Sequence, residues 1–177
     1  MGVDTGYNTN MAYSFVRRFG GQRVVALKGQ DSLTLPFGPP KQVDIRKDGK
    51  KIGKTLLYNA GVGLLKTELY GWLKNKIEED EVVPYGFCFF PQYGQEYFKG
   101  LTAEQRKFRI HNGFRKYYWE KIYNRNEPLD CRIYARVAAS IAGMDRWNEH
   151  QWNQEALKSI VGKKEKKKRK KKSSFWD

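Results

Sequence analysis

Short apolar runs that stop at glycine or aspartate alternate along this chain with stretches whose apolar residues recur every fourth position. That alternation restricts it to an α/β fold built around one sheet. Met1–Val3 is apolar and ends at Asp4-Thr5-Gly6, the pattern of a short buried strand stopped by a glycine turn. Asn8-Thr9-Asn10 offers a helix cap, and Met11, Phe15 and Phe19 then recur every fourth residue up to Gly20-Gly21. Arg23–Lys28 is β-branched and strand-like. Gln42–Lys47 and Lys54–Tyr58 predict two more strands around the Asp48-Gly49 turn. Leu65, Leu69, Leu73 and Ile77 predict a second helix, Glu78–Glu81 an acidic loop, and Phe87–Phe90 an aromatic strand. Leu101–Gln105 reads as a helix start, with Thr102 and Gln105 as a capping box. Lys107–Glu120 reads as a hairpin around Asn112-Gly113. Asn126 and Pro128 open a last long helix whose stripe is Leu129, Ile133, Val137 and Ile141. Trp147 and Trp152 pack a short terminal segment.

At 177 residues the chain suits one core, with a domain over residues 1–160 and a tail over 161–177. The tail is defined by charge. Residues 163–172 read KKEKKKRKKK, nine basic residues and one acid, within a chain of net charge +15. The preceding 162 residues still carry about +8. Such a block repels itself and stays disordered. Lys163, Lys164, Lys166, Lys167, Lys168 and Arg169 would meet a polyanion by counterion release. Solubilisation, nuclear localisation and an anionic membrane surface need the same lysines, so the tail alone does not choose. The basic, aromatic-rich body favours nucleic acid.

Other classes are excluded. No apolar run is long enough to span a membrane, and no signal-peptide pattern opens the chain. Two cysteines, Cys88 and Cys131, make neither a disulfide scaffold nor a four-cysteine zinc site. The GxxxxGK[ST] loop is absent, so the chain holds no P-loop ATPase. His111 and His150 lack partners at metal-ligand spacing. Cys88 and Cys131 read as core thiols.

Carboxylates carry the catalytic reading. Enzymes that hydrolyse nucleic acids hold divalent ions between acids from distant segments. Asp4 ends a strand, where ligand sites on open α/β sheets lie. Glu127 and Asp130 are three apart on the last helix and are expected to share a face. They fit a metal site, and equally a helix first turn that takes acids for its dipole. Lys28 and Lys66 sit near turns and could meet phosphate or simply be solvated. Tyr117-Tyr118-Trp119 could stack on bases, though alternate strand residues more often cover a core.

Several segments together resemble the C-terminal nuclease domain of the lambda-like phage terminase large subunit. Asn126-Glu127-Pro128-Leu129-Asp130-Cys131, with Tyr134-Ala135 and Ala138-Ala139, is similar to that family's NE-x-LDC-x-x-YA-x-x-AA helix. Leu101-Thr102-Ala103-Glu104 resembles its LTAE element, here after Phe90-Pro91. Leu27-Lys28-Gly29 resembles a strand ending in Lys-Gly. Gly61-Val62-Gly63-Leu64-Leu65-Lys66 resembles a Gly-x-Asp-x-x-Lys segment, and Asp4-Thr5-Gly6 an Asp-Thr-Gly strand end. The order agrees from residue 1 to about residue 145, and the basic tail has no counterpart.

The resemblance implies an RNase H-like mixed sheet flanked by helices and metal-dependent cutting of double-stranded DNA during genome packaging. It implies two Mg²⁺ or Mn²⁺ ions, with Asp4, Glu127 and Asp130 as ligands and Lys66 as a basic position without an assigned role. The implied setting is the host cytoplasm, with a terminase ATPase polypeptide, the small terminase subunit and the portal as partners. Two departures matter. The family's Asp-Thr-Gly strand follows an earlier hairpin region carrying another aspartate, so the domain is expected to be truncated at its N-terminus. Gly63 also stands where aspartate is usual. Three readings follow: a split nuclease completed by a second polypeptide, a catalytically inactive module that binds DNA, terminase or portal, and a short nuclease with Asp4 on a central first strand.

Overall fold

A computed structural model describes residues 1–20, 23–78 and 82–158. The basic tail, including Lys163–Arg169, and residues 79–81 of the acidic loop lie outside the described residues. The described residues between Met1 and Ile141 form one compact unit, and those from Ala142 to Lys158 belong to a second.

In the first unit, β1 (Gly2–Asp4), β2 (Val25–Gly29), β3 (Lys41–Lys47) and β4 (Lys50–Ala60) form one mixed sheet in the order β1-β2-β4-β3. β1, β2 and β4 are parallel, and β3 returns antiparallel on β4 through the Asp48-Gly49 turn. Both turn residues have positive φ (50° and 75°), the conformation a two-residue hairpin turn requires. Among the described residues β1 pairs only with β2, which puts it at the edge of this sheet and not at the centre, where a rebuilt short nuclease calls for it.

Strand alternation divides the core between the two faces. Ala26, Ile45 and Leu57 join Tyr13 and Val16 of α1 (Thr9–Phe19) on one face. Leu27 and Ala60 join Leu65 and Leu69 of α2 (Val62–Trp72), Leu101 of α3 (Gln95–Leu101), and Leu129, Ile133 and Val137 of α4 (Glu127–Ile141) on the other. β5 (Glu104–His111) and β6 (Phe114–Lys121) make a separate two-stranded ribbon turned by Asn112-Gly113, as the hairpin signal required. The mixed sheet with helices on both faces is the α/β architecture expected of an RNase H-like nuclease domain.

Three local expectations are corrected. Leu101–Gln105 does not begin a helix: α3 ends at Leu101, and the Thr102 hydroxyl donates back to the Phe98 carbonyl at 2.9 Å. Glu104 then starts β5. Phe87–Phe90 is not a strand. Held between Pro84 and Pro91, it follows a turn at Gly86 (φ 78°) and packs Phe87 edge to face on Phe89 instead. On α1 the buried residues are Tyr13 and Val16, whereas Met11, Phe15 and Phe19 face solvent. The Arg17 guanidinium, hydrogen-bonded to the Ile52 carbonyl at 2.7 Å, helps set the face that α1 turns to the sheet.

In the second unit the described residues comprise a 3-10 turn, Met144–Arg146, and helical residues 149–158. Trp147 and Trp152 pack edge to face with centroids 5.0 Å apart, as their spacing suggested.

Candidate active site

Asp4 is the last residue of β1, at the carboxyl end of the parallel strands. It pairs in register with Leu27, whose side chain faces α4, so Asp4 is directed to the α4 side. Gly2 lets the helix come close: a Cβ there would stand 2.5 Å from Leu27 Cδ1 and 3.0 Å from the Tyr134 carbonyl. The Tyr134 hydroxyl thereby reaches Asp4 and donates to Oδ1 at 3.1 Å, and the Gly6 N–H donates to the same oxygen at 3.1 Å. Burial and the adjacent Asp4 carboxylate push the Tyr134 phenol well above its ordinary range, so it stays a donor.

Residues four apart on α4 form one row: Asn126 just before its start, then Asp130 and Tyr134. Asn126 Nδ2 donates to Asp130 Oδ2 and to Glu104 Oε1, each at 3.1 Å. The other Glu104 oxygen takes the Lys66 ammonium at 2.6 Å. Lys66 and Glu104 are both 8% exposed. The Tyr70 hydroxyl donates to the Glu104 carbonyl at 2.5 Å, and its ring packs on Trp119. A polar chain thus runs Tyr134–Asp4 on one side and Lys66–Glu104–Asn126–Asp130 on the other. Asp130 couples the two. Burial holds its carboxyl above the usual carboxylate range; Lys66 pulls the other way, while Glu104 and Asp4 raise it further.

The expected residues divide accordingly. Asp4 is bonded to Tyr134, one turn after Asp130 on α4. Glu127, although three residues from Asp130, lies on the neighbouring row with Cys131. Its carboxylate is 3.7 Å from Arg125, and it lines a surface groove of about 690 Å³ with Tyr97, Tyr123 and Pro128. None of the hydrogen bonds at Asp4, Asp130 or Glu104 involves it. Lys28 follows Leu27, so alternation turns it to the other side of the sheet from Asp4. Lys66 is present, as the buried partner of Glu104. Glu104 itself was not anticipated as a site residue, although it closes the Leu-Thr-Ala-Glu motif. Aspartate at position 63 would not fit without rearrangement, because a Cβ on Gly63 would stand 2.6 Å from the Asp31 carbonyl oxygen.

Hard divalent cations take oxygen donors, and Mg²⁺ commonly needs only one or two carboxylates, with water and phosphate filling the rest. Asp4 and Asp130 are two such carboxylates. Glu104 is engaged by Lys66 and Asn126. Among the described residues no group of three His, Cys, Asp or Glu stands at metal-ligand spacing.

The family model for the terminase large subunit gpA, endonuclease domain, matches residues 1–152. The terminase large subunit of Escherichia phage lambda is 29% identical over 146 residues, covering 80% of this chain and 22% of that protein. The chain therefore spans about a fifth of the length of that relative. No solved structure matches the chain.

Proposed function

This chain belongs to the endonuclease-domain family of the terminase large subunit gpA, and from that we propose that it cuts double-stranded DNA, with a divalent metal, during viral genome packaging. The observation that carries the reading is the hydrogen bond from Tyr134 of the closing helix to Asp4 at a strand end, with Asp130 one turn away on that helix. In this reading the two carboxylates hold Mg²⁺ or Mn²⁺. An ion held there would supply an activated water and would neutralise charge on the phosphate. Tyr134 fixes the Asp4 carboxylate and Asn126 fixes Asp130. Lys66 neutralises Glu104, so that Glu104 serves as a fixed anchor for Asn126.

A second ion would need a further acid, and Glu127 would have to turn from Arg125 to supply it. We propose instead that a partner polypeptide carrying the terminase ATPase adds a strand to β1 and brings that acid. The unpaired outer side of β1 supports this, since a bare strand edge is a template for strand addition. The small terminase subunit and portal would complete the assembly in the host cytoplasm. No helix among the described residues is long and apolar enough to cross a membrane.

The alternative is a catalytically inactive module that binds DNA or packaging proteins. Glycine at position 63 and the lack of a three-acid cluster among the described residues favour it. Plasmid nicking with Mg²⁺ or Mn²⁺, alone and with the ATPase polypeptide added, separates the two. Cutting that appears or rises with the partner and is lost in Asp4→Asn and Asp130→Asn is expected. Cutting indifferent to both substitutions would overturn the site. No cutting under any condition, together with no saturable Mg²⁺ effect on Asp130 resonances, would favour the inactive module.

A further inference from the structure

The β5–β6 ribbon is not used by the site as described, yet it grows directly from it. Its first residue is Glu104, and Trp119 on β6 packs on Tyr70 at 5.2 Å. The Ile122 N–H also donates to the Ala103 carbonyl at 2.8 Å, tying the far end of the hairpin to the same base. Beyond that base β5 is exposed throughout, and β6 is exposed except at Trp119 and Glu120. A ribbon that covered a core would bury one of its faces; this one buries neither.

Its chemistry is that of a polyanion ligand. The two strands carry Arg106, Lys107, Arg109, Arg115, Lys116 and Lys121 against Glu104 and Glu120. Glu104 is taken by Lys66 and Glu120 by Lys107, so no ion pair among the described residues engages Arg109, Arg115 or Lys116. Between the cations stand exposed apolar side chains: Ile110 is 64% and Phe114 79% exposed. Arg106 lies over Tyr117 at 4.1 Å and Arg115 over Phe108 at 5.0 Å, which holds the guanidinium groups in place. Eight-residue strands span about 27 Å, and the B-DNA major groove, about 12 Å wide, admits a two-stranded ribbon.

We propose that the β5–β6 ribbon is a DNA-gripping arm. Its tip, Ile110 to Phe114, enters the major groove while Arg109, Arg115 and Lys116 meet the flanking phosphates. The arm then holds the duplex in a fixed relation to Asp4 and Asp130, because Glu104 joins both structures. The identity of the partner as duplex DNA rests on the nuclease reading; the basic and apolar surface stands independently of it.

The test uses the full chain and a labelled duplex of about 30 base pairs, roughly three helical turns, in Ca²⁺ so that binding is read apart from cutting. Replacing Arg109, Arg115 and Lys116 by alanine is expected to weaken binding on the order of 10- to 100-fold near 100 mM salt and to lower the salt slope by about 2.7, from roughly 0.9 per phosphate contact. The wild-type chain should shield guanine N7, a major-groove atom, from methylation, and the triple variant should not. Replacing Lys41, Lys47 and Lys50, exposed on the other hairpin, controls for net charge. An equal effect from that control, an unchanged slope, or N7 shielding that persists without the arm cations would overturn the arm. Arm-dependent binding with no cutting even in Mg²⁺ or Mn²⁺ with the ATPase polypeptide added would leave the arm standing and remove the nuclease reading; cutting with arm-independent binding would do the reverse.

Discussion

The Lys66 ammonium lies 2.6 Å from the Glu104 carboxylate, and both side chains are buried where α2 meets the start of β5. Removing one member strands the other without water. Lys66→Ala is expected to lower stability by about 3–5 kcal/mol, the cost of an uncompensated buried charge. The double substitution Lys66→Met with Glu104→Gln should recover most of that loss. Urea denaturation of both variants beside the wild type measures it, and equal losses in the single and double variants would show that the pair is not coupled.

Asp130 should trade stability for charge. Its carboxyl is held above the ordinary aspartate value of 3.8, first by burial and then by Glu104 and Asp4. Between that value and its raised one, the folded protein binds more protons than the unfolded chain. This group therefore makes stability fall as pH rises through the window. Asp130→Asn keeps an acceptor for Asn126 and removes the charge. We expect its melting temperature to exceed the wild type by about 1–2 °C at pH 7, a modest shift for a domain of this size. The advantage should vanish below pH 4 while cutting is lost.

Tyr134→Phe removes one hydroxyl and keeps the ring. The hydrogen bond to Asp4 is worth about 1 kcal/mol, so the fold should persist. Because the hydroxyl fixes the Asp4 carboxylate, cutting is expected to fall about 10-fold, equivalent to roughly 1.4 kcal/mol. A larger loss of stability than of activity would show that Tyr134 serves the core alone.

Gly63→Ala tests the departure from the Gly-x-Asp-x-x-Lys pattern. The added methyl would press on the Asp31 carbonyl at 2.6 Å, and overpacking of this kind costs about 1–3 kcal/mol. Thermal melting should show the loss. A neutral substitution would mean that the loop holding Asp31 yields freely and that aspartate could be accommodated there.

Periodic features were legible in the sequence because packing against one neighbour is a local property. Leu129, Ile133 and Val137 recur every fourth residue and are all buried in α4; Asn112-Gly113 turns the hairpin as its composition demands. Glu104 was hidden for the opposite reason. Its partner Lys66 is 38 residues away, and the local string Thr-Ala-Glu-Gln satisfies a capping pattern that the preceding helix end and the buried ion pair override. α1 misled in another way. It carries apolar residues on two faces, and spacing alone cannot say which of them the sheet will take. Glu127 and Asp130 share a helix face in spacing, but they sit on adjacent rows, and only Asp130's row continues from Asn126 to Tyr134.

β1 is three residues long and is held to the sheet along one side only. Breathing of this rim would carry Asp4 away from Tyr134 while the helices and the remaining strands stay intact. Such a local opening would separate the carboxylate from its partner without any change in the global stability of the domain. Anything that clamps the rim would act as a switch for the chemistry without touching a reacting atom.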